Sequence, residues 1–174
     1  DFSKPFRALV AGGGTGDAAI MLAQQLADRG DQGSVTYVDL SKASRSVVEA
    51  RAKARGLNNM KFHTGSLLDL PEMKFEPFDY IDCCGVLHHL EDPEAGLLAL
   101  SQVLADDGGM GLMVYATLGR TGVYHVQNAL RALYGEEAPA RQVKLSKKFV
   151  ENLPSTNWLV RNPFVGDHQM GEDA

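Results

Sequence analysis

The stretch Ala8-Leu-Val-Ala-Gly-Gly-Gly-Thr-Gly-Asp17 decides how this chain folds. An apolar run over residues 8–11 breaks into four glycines within five positions, Gly12, Gly13, Gly14 and Gly16. The chain then runs into Asp17-Ala-Ala-Ile-Met-Leu-Ala-Gln-Gln-Leu26, whose apolar residues recur at helical spacing. The pattern predicts a buried strand, a tight glycine turn and a helix N-terminus. Such a turn lets a ligand lie close against bare backbone N–H groups. The glycines alone do not name that ligand.

Outward from this stretch the alternation continues. Residues 6–11 read as a strand and 15–29 as a helix stopped by Gly30. Residues 34–39 read as a β-branched strand after Asp31-Gln-Gly33, and 42–55 as a helix closed by Gly56 where a left-handed residue is wanted. Short strands are predicted over 60–63 and over 78–83, the latter between Pro77 and Gly85. Asp92-Pro93 supplies an N-cap followed by a first-turn proline, which predicts a helix to about residue 104. Asp106-Asp-Gly-Gly109 predicts a turn into a strand over 110–116. Five strands separated by helices imply right-handed crossovers and a doubly wound, mainly parallel α/β sheet. Ligands of such sheets sit beyond the carboxyl ends of the strands, where strand order reverses. From about Thr117 the character changes. Helical patterns cover 123–133 and 142–153 with Gly135-Glu-Glu-Ala-Pro139 between them, and the chain turns irregular after Pro154. No sixth or seventh strand is recognised, and the polar tail over 166–174 is expected to fray.

Composition narrows the class. The chain has 174 residues, 44% of them apolar and 22% charged, enough for one domain with a proper core. No apolar stretch reaches the roughly 20 residues of a membrane span, and no charged-then-apolar leader opens the chain. The only cysteines, Cys83 and Cys84, are adjacent; this excludes a disulfide framework and makes a reducing, cytoplasmic setting the simplest expectation. A net charge of −5 argues against broad contact with nucleic-acid phosphates, so neither a nucleic acid nor a membrane is expected as partner. The chain starts at Asp1 with almost nothing before the first strand. It is therefore expected to be a fragment of something longer, with further segments on either side.

Asp39 ends the second strand, 23 residues past Gly16. A carboxylate there can accept hydrogen bonds from the ribose hydroxyls of an adenosine group, or simply cap the next helix, a task for which Ser41 is also available. The dinucleotide spacing G-x-G-x-x-G fails from Gly12, because its last position falls on Asp17. Asp17 also sets a negative charge at the helix N-terminus, where it would repel a pyrophosphate. An adenosine ligand without phosphates is favoured.

Six segments then occur in order: Gly12-Gly-Gly-Thr-Gly16, Val38-Asp-Leu-Ser41, Gly65-Ser-Leu-Leu-Asp-Leu-Pro71, Phe78-Asp-Tyr-Ile-Asp82, Gly85-Val-Leu-His-His-Leu-Glu-Asp-Pro93 and Asp107-Gly-Gly-Met-Gly-Leu-Met-Val-Tyr115. Together, over residues 6–116, they closely resemble the class I S-adenosylmethionine-dependent methyltransferases. The nearest flavour is the small-molecule type, sometimes fused to tetratricopeptide repeats. The resemblance implies a Rossmann-like sheet in the order 3-2-1-4-5, with further strands missing or unrecognised. It implies an S-adenosyl-L-methionine-binding core over 1–116. Residues 117–174 would form a helical lid or substrate segment and tail of the same domain, with Tyr124, His125 and Asn128 on the acceptor's side. By the same resemblance the backbone of Gly12, Gly13, Gly14 and Gly16 would hold the methionine part of the cofactor. Asp39 would take its ribose, Leu40 beside it is a further cofactor-binding position, Ser66 and Leu67 would border the adenine, and Cys84, Gly85 and Val86 would line the cavity beside the sulfonium. Two positions depart from the family pattern. Many relatives carry an acid in place of Val10, where it helps to order the amino group of the methionine moiety. Asp is common in place of Ser66, whose hydroxyl meets the adenine amino group less strongly.

Methyl transfer from a sulfonium needs orientation and desolvation more than a catalytic triad. The catalytic residues are accordingly unknown from sequence, with His88, His89 and Tyr115 as candidates for an acid, a base or a substrate contact. No metal is expected, because adjacent histidines on a short loop rarely ligate one ion together. The cysteines read as small buried hydrophobes and the basic run over 141–148 as a solvated helix face. Asn162-Pro-Phe164 resembles the Asn-Pro-Pro-aromatic motif of DNA amino-methylating enzymes but follows strand five rather than strand four. The expected function is transfer of a methyl group to an unidentified small-molecule acceptor. A non-catalytic cofactor-binding regulatory or scaffold module, or an NAD-dependent oxidoreductase, stands as the alternative.

Overall fold

A computed structural model of the chain describes residues 5–30 and 32–161. The tail over 166–174 and the Asn162-Pro-Phe164 motif lie outside these residues. Five strands form one sheet: β1 (Arg7–Ala11), β2 (Ser34–Asp39), β3 (Met60–Thr64), β4 (Phe78–Cys84) and β5 (Leu104–Met113). They are all parallel, in the order β3-β2-β1-β4-β5. Helices α1 (Asp17–Asp28), α2 (Lys42–Ala54) and α3 (Pro93–Ser101) supply the crossovers, with 3-10 turns at Leu67–Met73 and Leu87–His89. The 3-10 turn over Leu67–Met73 had no counterpart in the sequence reading. No helix among the described residues is long and apolar enough to cross a membrane.

Strand alternation divides β1 between two cores. Ala8 and Val10 pack with Ala19 and Ile20 of α1 and Val48 and Ala52 of α2. Leu9 and Ala11 face the opposite side, with Leu67, Leu70, Leu87 and Leu100. Both faces of the central strand are therefore apolar, as a covered parallel sheet requires. Local caps set the helix starts. Ser41 Oγ accepts from the Ser44 amide at 3.1 Å, and Asp92 Oδ1 accepts from the amides of Glu94 and Ala95 at 3.0 Å each, ahead of Pro93.

The last third of the sheet differs from the sequence expectation. Helix α3 ends at Ser101, and Leu104 already pairs with Phe78 as the first residue of β5. Asp106-Asp-Gly-Gly109 does not precede the strand but lies within it. Leu104 pairs with Phe78 and Gly109 with Tyr80, so β5 takes five steps while β4 takes two. The excess forms a bulge. The strand then stops at Met113, opposite Cys84, because β4 ends there and its successor Gly85 donates its amide to the Met113 carbonyl at 3.0 Å. Residues 114–116, expected as strand, have no β4 partner left.

Residues Asp1–Val114 and Tyr115–Ala174 form two compact units. The second contains α4 (Thr121–Tyr134), α5 (Pro139–Glu151) and α6 (Trp158–Arg161), around Val123, Val126 and Leu159. The short helix α6 falls where sequence suggested irregular chain. Gly122 leaves room for the Trp158 ring, because a Cβ there would lie 2.5 Å from it.

Truncation of fully buried Ile81 on β4 to alanine is expected to cost roughly 2–5 kcal/mol. The Leu97→Ala change on the exposed side of α3 should stay within about 0.5 kcal/mol. Urea unfolding followed by circular dichroism checks both.

Candidate functional site

The glycine turn leaves the carboxyl end of β1 at the sheet's centre. Gly12, Gly14 and Gly16 adopt φ of +73°, +50° and +93°, a left-handed region that glycine enters without penalty. Gly16 caps α1, and a Cβ there would lie 2.1 Å from Val48 Cγ2 of α2. A Cβ on Gly12 would lie 2.5 Å from Val86 Cγ2, so the turn after β1 touches the turn after β4. Around Gly14 the space is open, with no atom within 4 Å of a built Cβ. The result is a bare backbone cradle with its floor on Val86 and its open side at Gly14.

Strand β2 holds this cradle from beneath. The Gly14 amide donates to Asp39 Oδ2 at 2.8 Å, and the Gly14 carbonyl accepts from the Tyr37 hydroxyl at 2.6 Å. Tyr37 and Asp39 are two residues apart and so share a strand face. Tyr37 is fully buried. Its ring fills the space beside Gly13, where a Cβ would sit 2.6 Å from the ring edge. Burial first, and the Asp39 charge second, push the Tyr37 phenol up to about 12, so it stays a neutral donor. Sequence reasoning found Asp39 and missed Tyr37, which reads there as one more apolar strand residue.

Asp39 Oδ1 also accepts from the Ser41 amide at 2.8 Å. Each carboxylate oxygen has thus taken one hydrogen bond and keeps acceptor capacity for a second. Ser41 caps α2, so the carboxylate is not used up as a helix cap. Asp17 behaves differently from expectation: its carboxylate pairs with Arg51 of α2, and the same guanidinium donates to the Thr15 carbonyl at 2.7 Å. The charge expected to confront a ligand is instead a tie between the two helix ends.

Leu40, just past Asp39, is 71% exposed. Ser66 caps the 3-10 turn, accepting from the Leu68 amide at 3.1 Å. Leu67 turns its side chain into the core, and the exposed leucine beside it is Leu68, which sequence reasoning passed over. At the end of β4, alternation sends Cys83 into the core and leaves Cys84 exposed. Burial, then the charge of Asp82, raises the Cys83 thiol to about 11 and moves Cys84 in the same direction. Gly85 follows at φ +78° and leads into Val86 under the cradle.

Of the catalytic candidates, His88 and His89 lie on the 3-10 turn after β4, with ring centroids 4.2 Å apart; His88 is half-buried and His89 exposed. Tyr115 is not at the end of β5. It belongs to the second unit, beneath the guanidinium of Arg120 at 3.8 Å from the ring centroid. Tyr124 is half-buried on α4, and His125 and Asn128 are exposed there.

Comparison with known proteins gives a consistent result. Residues 9–110 match the family model described as a methyltransferase domain. An uncharacterised protein of Synechococcus sp. is 35% identical over 158 residues, covering 89% of this chain and 37% of that protein. A demethylmenaquinone methyltransferase of Geobacillus kaustophilus is 36% identical over 107 residues, covering 62% of this chain and 44% of the enzyme. The chain therefore spans less than half the length of these two relatives. Among solved structures, PKMT2 from Rickettsia typhi in complex with AdoHcy superposes with a TM-score of 0.65 at 21% identity, over 94% of this chain and 31% of that one. That likeness is one of fold.

The glycines predict a graded response. Gly14→Ala should cost about 1 kcal/mol, the strain of a left-handed alanine alone. Gly16→Ala adds the clash with Val48 and should cost roughly 2–5 kcal/mol in chemical denaturation. Thiol labelling of the native protein should modify Cys84 and spare Cys83 until the fold is opened; equal labelling of both would contradict the strand register.

Proposed function

Because the chain belongs to the methyltransferase-domain family, of the class I S-adenosylmethionine-dependent kind, we propose that it transfers a methyl group from S-adenosylmethionine to a small-molecule acceptor. The observation that carries this reading is the paired hold on Gly14. It presents an open cradle of bare backbone beside a carboxylate with acceptor capacity to spare. The residues present fit such a cofactor. In this reading Gly12, Gly13, Gly14 and Gly16 receive its amino-acid portion and Asp39 the ribose hydroxyls. The exposed Leu40 and Leu68 flank the adenine with Ser66 and the Leu67 backbone, and Cys84, Gly85 and Val86 border the reacting sulfur. A demethylmenaquinone methyltransferase among the relatives supports a small organic acceptor.

The cofactor, when bound, supplies a carbon already activated for displacement by its sulfonium. The protein's part is then geometric. The cradle fixes the donor's direction, and the apolar floor at Val86 keeps water from the reacting carbon. Where the acceptor must lose a proton, His89 is the exposed member of the His88-His89 pair and takes it, and His88 orients it through ring contact.

Calorimetric titration with S-adenosylhomocysteine, S-adenosylmethionine and NAD tests the core of the proposal. The first two should bind and NAD should not, and Asp39→Ala should weaken S-adenosylhomocysteine about a hundredfold, the loss of two charge-assisted hydrogen bonds. Binding of NAD alone would sink the reading. Cofactor binding without label transfer from methyl-tritiated S-adenosylmethionine across a broad acceptor screen would favour a non-catalytic binding module.

A further inference from the structure

Asp82 is a carboxylate within β4, at the seam between β1 and β4. Its register partners are Val10 on β1 and Gly111 on β5, so the three share one row and one face of the sheet. That face is the one Val10 shares with α1 and α2. The row lies just beneath the point where β1 becomes the glycine turn. This is also where strand order reverses, the place at which open α/β sheets bind ligands.

The groups around the carboxylate are neutral. The Tyr80 hydroxyl stands 3.5 Å from Asp82 Oδ2 and the Cys84 sulfur 3.7 Å from it. Their titrations move up, first through burial and then through the Asp82 charge, which keeps both protonated at neutral pH. Val10 offers nothing polar on one side. Gly111 offers no side chain on the other, and a Cβ there would clash with the Tyr80 hydroxyl. Among the described residues no lysine, arginine or histidine forms an ion pair with Asp82. A half-buried carboxylate bounded by two neutral donors is a place where a cation gains by binding.

We propose that Asp82 anchors the ammonium group of the cofactor's methionine moiety, doing from β4 what Val10 cannot do from the paired position on β1. The inference rests on the methyltransferase reading. The ammonium and the sulfonium are the cofactor's two cations, and only the ammonium persists in the demethylated product. That difference gives the test its resolution.

Asp82→Asn keeps the size of the side chain and removes its charge. Calorimetry on the whole chain should show S-adenosylmethionine and S-adenosylhomocysteine weakened by the same factor, about tenfold to a hundredfold, as for a lost charge-assisted hydrogen bond. Methylthioadenosine, which lacks the amino-acid portion, should bind the variant as it binds the wild type, and this also shows that the variant is folded. Unchanged S-adenosylhomocysteine affinity overturns the proposal, as does an equal loss for methylthioadenosine. A loss confined to S-adenosylmethionine would move the contact to the sulfonium and overturns it too. If the wild-type chain binds none of the three, the methyltransferase reading fails and this inference falls with it. If the wild type binds and the variant does not discriminate, only this inference fails.

Discussion

The site depends on a single glycine held at both its amide and its carbonyl. Gly14 lies in a conformation that other residues enter at a cost, in a turn with almost no side chains to pack. Within the turn the Gly16 amide donates to the Gly13 carbonyl at 2.9 Å. Two side chains of the neighbouring strand add to that bond and fix Gly14, a phenol on its carbonyl and a carboxylate on its amide. Hydrogen bonds of these kinds contribute about 1–3 kcal/mol each, comparable to the conformational freedom that an ordered glycine loses. The same carboxylate reaches forward to the start of α2, so the end of β2, the turn after β1 and the next helix are fixed as one piece.

Around that piece the sheet separates its labours by residue parity. On β4, Ile81 and Cys83 enter the core under α3, and Tyr80, Asp82 and Cys84 occupy the other face. One short strand thus supplies half a hydrophobic core and a file of polar groups leading to the ligand end. The substitution of small residues opposite that file matters as much as the file itself. Gly111 makes room for the Tyr80 hydroxyl, and Val10 leaves Asp82 as the acid of its row.

What the amino-acid sequence disclosed and what it concealed follow from the range of the interactions involved. The glycine turn and the Ser41 and Asp92 caps are written within a few residues of where they act, and they are legible; Asp39 is legible from its place at the end of a strand pattern, although its Gly14 partner lies 25 residues away. Tyr37 is not, because its partner is 23 residues away on another strand and its own surroundings in sequence are those of any buried strand. The start and stop of β5 were misread for a similar reason. Asp106-Asp-Gly-Gly109 has the composition of a turn, yet the strand's extent is dictated by β4, which absorbs those residues in a bulge and then runs out at Cys84. Tyr115 reads in sequence as the end of that strand, but the pairing with β4 is exhausted two residues earlier, at Met113. Leu67 and Leu68 show the problem at its smallest scale: adjacent leucines are interchangeable in a pattern, and only the 3-10 turn decides which is buried. The pairing of Asp82 with Val10 is a fact of register, and no single-strand reading contains it.

The parity of β4 has a redox consequence. Cys83 and Cys84 are neighbours in the chain and the only two cysteines in it, yet the strand points them to opposite faces of the sheet. While β4 is intact, neither can serve the other as a resolving thiol. An oxidant that converts Cys84 to a sulfenic acid therefore leaves it without an internal route to a disulfide, and recovery must come from an external reductant. Oxidative damage at the rim of the site would accumulate there without spreading into the core.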